Sequence, residues 1–128
     1  NENLRIALDL TEEWDKVSQD SSLVTGVAVV NRTFLEENEA AVQTFIAEHQ
    51  ESAAYANENV EEAAQLVAQL GIVPQAAIAA QAIPYCNITC LTGGEMQTAL
   101  SGYLEVLFGQ NAESVGGALP GDDFYYMP

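Results

Sequence analysis

Two cysteines and one histidine are the side chains here whose types suit covalent or metal chemistry: Cys86, Cys90 and His49. Both thiols sit in Ala82–Glu95, a stretch that carries no charge until its last residue. A pair separated by three residues fits neither a disulfide-rich scaffold nor a four-ligand zinc site. On an extended segment rising roughly 3.3 Å per residue, their Cα atoms would lie about 13 Å apart. A disulfide tolerates roughly 7 Å, so bridging would need a tight turn, and two free, buried thiols are expected. His49 falls on the apolar stripe of a predicted helix with no second histidine and no cysteine near it in sequence. That placement suits a boundary residue better than a proton shuttle or metal ligand. Catalysis needs a base and a nucleophile brought together, and the sequence offers no such pair. No catalytic residue, no metal and no cofactor are therefore expected.

The elements that position these groups belong to a chain of 128 residues, one ordinary domain in size or a piece of a larger one, with 48% hydrophobic residues. Its formal net charge is -16, with Arg5, Lys16 and Arg32 as the strong cations. Phosphate backbones and anionic membrane surfaces should both repel such a chain, which argues against a nucleic-acid partner. High negative charge also serves plain solubility, so it excludes partners more firmly than it names one. No window approaches the roughly 20 apolar residues of a membrane-spanning helix. The chain opens on Asn1-Glu2-Asn3-Leu4 without a basic and then hydrophobic leader, and so reads as cut from a longer protein.

Leu4, Ile6, Leu8 and Leu10 alternate with Arg5, Ala7 and Asp9, the period of a half-buried strand. Trp14 is expected to fold back on that strand as a lid, and Ser18-Gln19-Asp20-Ser21-Ser22 reads as a linker. Leu23–Val30 is uncharged and β-branched, which suits a central strand buried on both faces. Gly26 within it marks either a bulge or a close approach to the backbone. After Asn31-Arg32 the period becomes helical through Leu35, Val42, Phe45, Ile46, His49, Ala53 and Ala56. Thr33 with Glu36 has capping-box spacing and Asn38 offers a second start, so a short helical turn should precede the main helix. Asn57-Glu58-Asn59 breaks it, and a second helix runs to Gly71, whose left-handed conformation stops it. Pro74 then opens an alanine-rich helix over Gln75–Ala82 that should pack closely, and Pro84 closes it. Asn87–Leu91 reads as a short strand. Thr92 with Glu95 caps a last helix with the stripe Met96, Leu100, Tyr103, Leu104 and Leu107. Phe124-Tyr125-Tyr126 should dock on the body. Strand, strand, three helices, strand, helix is an α/β order in which helices outnumber strands.

Several blocks, in this order, carry a family resemblance: Asp9-Leu10-Thr11-Glu12-Glu13-Trp14; Gly26–Asn31 with Phe34-Leu35-Glu36-Glu37-Asn38-Glu39-Ala40-Ala41-Val42 and Phe45; Ala82–Ile88; and Ser101-Gly102-Tyr103-Leu104 through Ser114–Gly117 and Pro120 to Asp123-Phe124-Tyr125-Tyr126. Together they resemble the C-terminal part of a bacterial ABC-importer substrate-binding protein of the nitrate/sulfonate/taurine and thiamine-pyrimidine-like group. The resemblance implies a type II periplasmic-binding fold: two α/β lobes, two crossover strands, and a ligand held in the cleft as the lobes close. Family members are roughly twice this long and begin with an export or lipoprotein signal. On that mapping residues 1–22 end the second lobe and approach the hinge, and residues 23–128 complete the first lobe. Ligand contacts would come from Thr25 and Gly26 at the crossover and from Tyr85 and Asn87, one stacking on a planar solute and the other hydrogen-bonding it. The implied partners are a small organic solute and the permease subunits, in a periplasmic or extracellular, membrane-anchored setting.

The resemblance also raises an alternative, because eukaryotic relatives of the fold make the thiamine pyrimidine using histidine and a cysteine-rich stretch, which directs attention to Cys86 and Cys90. A third reading is an acidic protein-interaction module. Asn31-Arg32-Thr33 and Asn87-Ile88-Thr89 match the glycosylation acceptor pattern, which matters only in a eukaryotic secretory setting. Finally, a strand such as Leu23–Val30 deprived of its neighbours would expose an unpaired edge, so self-association or strand exchange is expected.

Overall fold

The computed structural model describes residues 5–18 and 21–128. Asn1 to Leu4, read as the chain's opening and the start of the first strand, and Gln19 and Asp20 of the linker lie outside the described residues. The regular structure is helical: α1 (Leu10–Val17), α2 (Arg32–Glu37), α3 (Glu39–Glu58), α4 (Val60–Gln69), α5 (Ala76–Ala82) and α6 (Gly93–Gln110). Single 3₁₀ turns occupy Ile83–Tyr85, Ala112–Val115 and Asp122–Phe124. The chain is thus helix-rich, as expected, but no strand forms among the described residues. It divides into two compact units, Val30–Cys90 and Asn1–Val29 with Leu91–Pro128.

In the unit Val30–Cys90 the short turn and main helix appear where the periodicity put them. The caps differ in detail. Asn31, not Thr33, caps α2, its Oδ1 accepting from the Phe34 N–H at 3.2 Å. Asn38 stands between α2 and α3 and turns its amide back to the Phe34 carbonyl at 3.1 Å. The helix α4 ends in a Schellman arrangement: Gly71 takes φ +71°, its N–H reaches the Ala68 carbonyl at 3.1 Å, and the Ile72 N–H reaches Val67 at 3.0 Å. The carbonyls of Leu66, Val67 and Ala68 are thereby satisfied, and the chain reverses into α5.

That reversal lays two alanine-bearing faces together. Ala63, Ala64, Ala79 and Ile83 form the core of this unit, with Val60, Val67, Val73, Ala76, Ala80 and Ile88 packed around it. Alanine at the points of contact lets the two backbones approach closely, and Ala64 is 1% exposed as a result. The expected tight seat of the alanine-rich helix is therefore present, starting at Ala76 rather than Gln75. Val42 and Ala53 are the buried positions of α3. Phe45, expected inside, is exposed and stacks on His49 with ring centroids 5.5 Å apart. The stripe on α3 is wider than the surface available to cover it.

In the other unit Asp9 decides the local structure. Its carboxylate accepts from the N–H groups of Thr11 at 2.9 Å and Glu12 at 3.1 Å, so Leu10 opens a helix instead of ending a strand. Glu12 and Glu13 in the first turn and Lys16 in the last suit the helix dipole. This corrects the first expected strand: Ile6 and Leu8 alternate with Arg5, Ala7 and Asp9 but are exposed and pair with no strand among the described residues. Trp14 is accordingly no lid on a strand. Its Nε1 donates to the Ser21 carbonyl at 3.1 Å and Oγ at 3.0 Å, and its ring lies 5.2 Å from that of Tyr103 on α6. The α6 stripe of Met96, Leu100, Tyr103, Leu104 and Leu107 is half-buried throughout. The closing aromatics dock in part: Tyr125 is buried and meets Phe124 edge-on at 5.3 Å, while Phe124 stays exposed.

The second and third expected strands need the same correction. Leu23–Val30 has no regular structure, and Thr25 to Val30 are exposed rather than buried on both faces. A strand is stabilised by a neighbour's ladder, and none is present among the described residues. Over Asn87–Leu91 the cause is local. Asn87 adopts φ +50°, a left-handed conformation that cannot continue a ladder.

Candidate ligand-binding turn

Residues 83–88 form the most sharply held feature among the predicted site positions. After α5, Ile83 is buried in the alanine core, Pro84 tightens the chain into a 3₁₀ turn, and the Cys86 N–H closes it on the Ile83 carbonyl at 3.0 Å. On the far side Ile88 packs against the same core. Its carbonyl accepts from Asn57 Nδ2 at 2.9 Å, while the same amide holds the Ala53 carbonyl at 2.9 Å. Anchored at both ends, the backbone presents Tyr85, Cys86 and Asn87 outward. Tyr85 is 83% exposed, and Asn87 is exposed in its left-handed turn. Asparagine accepts that conformation more readily than most residues.

The turn can supply an aromatic face and an amide with one donor pair and one acceptor. No ionised group is part of it. The Cys86 thiol donates to the Ala82 carbonyl at 3.3 Å. Both thiols are free, but the expectation that they are buried is corrected: Cys86 is exposed and Cys90 half-buried. The left-handed step at Asn87 carries this segment over the surface of the unit instead of through its core.

Thr25 and Gly26 fall in the other unit, in the irregular run before α2, both exposed. Gly26 meets neither purpose foreseen for it within the chain. Among the described residues there is no ladder to bulge, and a Cβ at that position would find nothing within 4 Å. The structure therefore brings Tyr85 and Asn87 together on one turn and leaves Thr25 and Gly26 on a separate segment.

Among the described residues no cluster of three or more His, Cys, Asp or Glu side chains could hold a metal ion. His49 is exposed on α3 and faces Phe45. No described helix is long and apolar enough to cross a membrane. Two phenols are shifted. Tyr55 donates to Glu62 Oε2 at 2.5 Å, and this hydrogen bond, chiefly, raises it above the ordinary tyrosine value. Burial raises Tyr125, with the charges of Asp122 and Glu105 adding to it. Neither phenol belongs to the turn.

Asn57 is the residue that sequence reasoning missed. It reads as part of a helix-breaking Asn-Glu-Asn, yet it lies four residues after Ala53 on the packed side of α3. A polar amide one turn beyond a buried alanine was the available signal. Asp9 is a second omission, since Asp9 with Glu12 has the spacing of a helix start. In the unit that holds Asp9, an open apolar hollow of about 360 Å³ is lined by Leu10, Glu13, Trp14, Val17 and Leu23. Compared with family models, curated proteins and solved structures, the chain matches none.

Proposed function

We propose that the chain is the C-terminal part of a solute-binding component of an ABC importer, which captures a small organic molecule by lobe closure and passes it to permease subunits. The ordered sequence blocks that resemble this group support the reading. Among the structural features, the observation that carries it is the Tyr85–Asn87 turn, an uncharged aromatic and amide pair on a backbone anchored by Ile83 and Ile88. Tyr85 stacks on a planar solute and Asn87 hydrogen-bonds it. Thr25 and Gly26 join from the crossover. In the complete protein, residues 1–22 close the second α/β lobe and residues 23–128 complete the first. Ligand binding then shifts the equilibrium between open and closed forms through contacts made only on closure. The protein works in a periplasmic or extracellular, membrane-anchored setting, with no nucleic-acid partner, no cofactor and no catalysis of its own.

The test is native mass spectrometry of the full-length protein purified without denaturation. A retained small organic mass, lost in both Tyr85→Ala and Asn87→Ala variants that keep their helical circular dichroism, is expected. A protein that carries no solute and shows no heat of binding across nitrogen- and sulfur-containing organic compounds would sink the proposal. Turnover of a bound compound, abolished by alkylating Cys86 and Cys90, would point to the enzymatic alternative.

A further inference from the structure

We infer that Trp14 is a positioning residue for lobe closure, acting through a latch that its indole forms with Ser21; the inference rests on the importer reading. Trp14 is the chain's one tryptophan and is half-buried. Its Nε1 donates to the Ser21 carbonyl at 3.1 Å and to the Ser21 hydroxyl at 3.0 Å. That hydroxyl lies 2.6 Å from the Ser18 hydroxyl, and the Ser18 N–H returns to the Trp14 carbonyl at 2.8 Å. Trp14, Ser18 and Ser21 therefore close a ring of hydrogen bonds across the end of α1. The ring is held from outside as well, because the indole lies 5.2 Å from the Tyr103 ring on α6, in the same compact unit.

Packing alone does not account for this arrangement. A phenyl ring would cover Tyr103 as well, whereas the indole N–H is a single donor, and both acceptors it meets belong to Ser21. Ser21 stands two residues before Leu23, where the crossover run begins. Beyond Val24 that run is exposed and irregular. The latch is thus where the chain's departure into the run is fixed. A hinge whose approach is ordered in advance has less conformational freedom to lose when the lobes close. More of the contact energy made on closure is then left to hold the solute. Trp14 touches no solute in this role.

Small-angle X-ray scattering of the full-length protein, stripped of solute, tests this through the spread of lobe-to-lobe distances. Trp14→Phe keeps a ring against Tyr103 and loses the N–H, and it should widen that spread most. Ser21→Ala loses the hydroxyl but keeps the carbonyl, and should widen it less. Ser21→Thr keeps both acceptors and should match the wild type. Helical circular dichroism should stay the same in all three. In native mass spectrometry the fraction of protein carrying a retained solute should fall about fivefold in Trp14→Phe, the scale of one lost hydrogen bond. Scattering that is unchanged in both Trp14→Phe and Ser21→Ala overturns the inference, since a merely structural role would lower the urea midpoint and leave the lobes alone. So does a Ser21→Thr variant that widens the spread as much as Ser21→Ala, because the hydroxyl would then not be the part that matters. A wild-type protein that retains no solute sinks the importer reading, while the scattering still decides the latch; unchanged scattering beside a retained solute sinks the latch alone.

Discussion

The α4–α5 hairpin and the run Leu23–Val30 are both rich in apolar residues, yet only the first builds a core. The hairpin has Ala63, Ala64 and Ala79 buried between two helices. The run is richer in large apolar groups and leaves Val27 and Val29 in water. The difference lies in where backbone hydrogen bonds are made. A helix satisfies its own N–H and C=O groups, so its side chains need only a neighbouring surface, and alanine brings that surface close. A strand satisfies nothing by itself, and hydrophobicity cannot substitute for the missing ladder. Apolar content therefore predicts burial only where the local structure closes its own hydrogen bonds.

The sharpest way to break this contrast is to empty the hairpin side. Ile83 is 6% exposed and is the largest side chain in the alanine core. Ile83→Ala should cost about 3 kcal/mol, read from urea unfolding followed by helical circular dichroism. A loss below about 1 kcal/mol would mean that the alanine faces hold together without it, and the contrast would rest on helix propensity alone. Release of the Asn57 amide is a smaller perturbation of the same unit. Asn57→Ala leaves the Ile88 and Ala53 carbonyls without that donor and should cost about 1 kcal/mol. Hydrogen exchange should quicken around residues 86–90 more than in α4. Equal quickening in both would show that the turn is held by the core and not by the clamp.

What could be read from the sequence follows the same division. The short turn and main helix after Asn31, the glycine stop at Gly71, the close-packed alanine helix and the stripe of α6 all depend on contacts within a few residues, and their signals are local. The three strands depended on partners far away or absent. Asp9 and Asn87 overrode the first and third through one carboxylate cap and one left-handed residue. The second had no such override, and no strand pairs with it among the described residues. Of the candidate site, Tyr85 and Asn87 were legible as an uncharged pair beside Pro84, but their common anchoring was not. It passes through Asn57, 31 residues from Ile88, and one sequence carries no mark of that pairing.

A pH titration sharpens the comparison in the unit that holds the closing aromatics. Burial raises the Tyr125 phenol, so the folded state favours its neutral form. The unfolded chain ionises first, near the ordinary value of about 10. Stability should be independent of this group below that value and should fall as the pH rises through the unfolded and then the folded value. Urea midpoints measured across alkaline pH, beside phenolate absorbance, should show the fall, and Tyr125→Phe should flatten it. An unchanged slope in that variant would assign the effect to Tyr55, whose hydrogen bond to Glu62 shifts it in the same direction.

The smallest effect is expected where the run stands open. Val29→Ser removes two methyl groups from a side chain that is 83% exposed and adds a hydroxyl that water can satisfy. The unfolding free energy should move by no more than about 0.5 kcal/mol, the usual range for a surface substitution. The same change deep in a paired central strand would cost several times more, through lost apolar burial and a hydroxyl without a partner. Urea unfolding separates the cases. An unchanged midpoint marks a run that stands open. A large loss would mean that Leu23–Val30 is covered within a single chain, and the contrast with the hairpin would disappear.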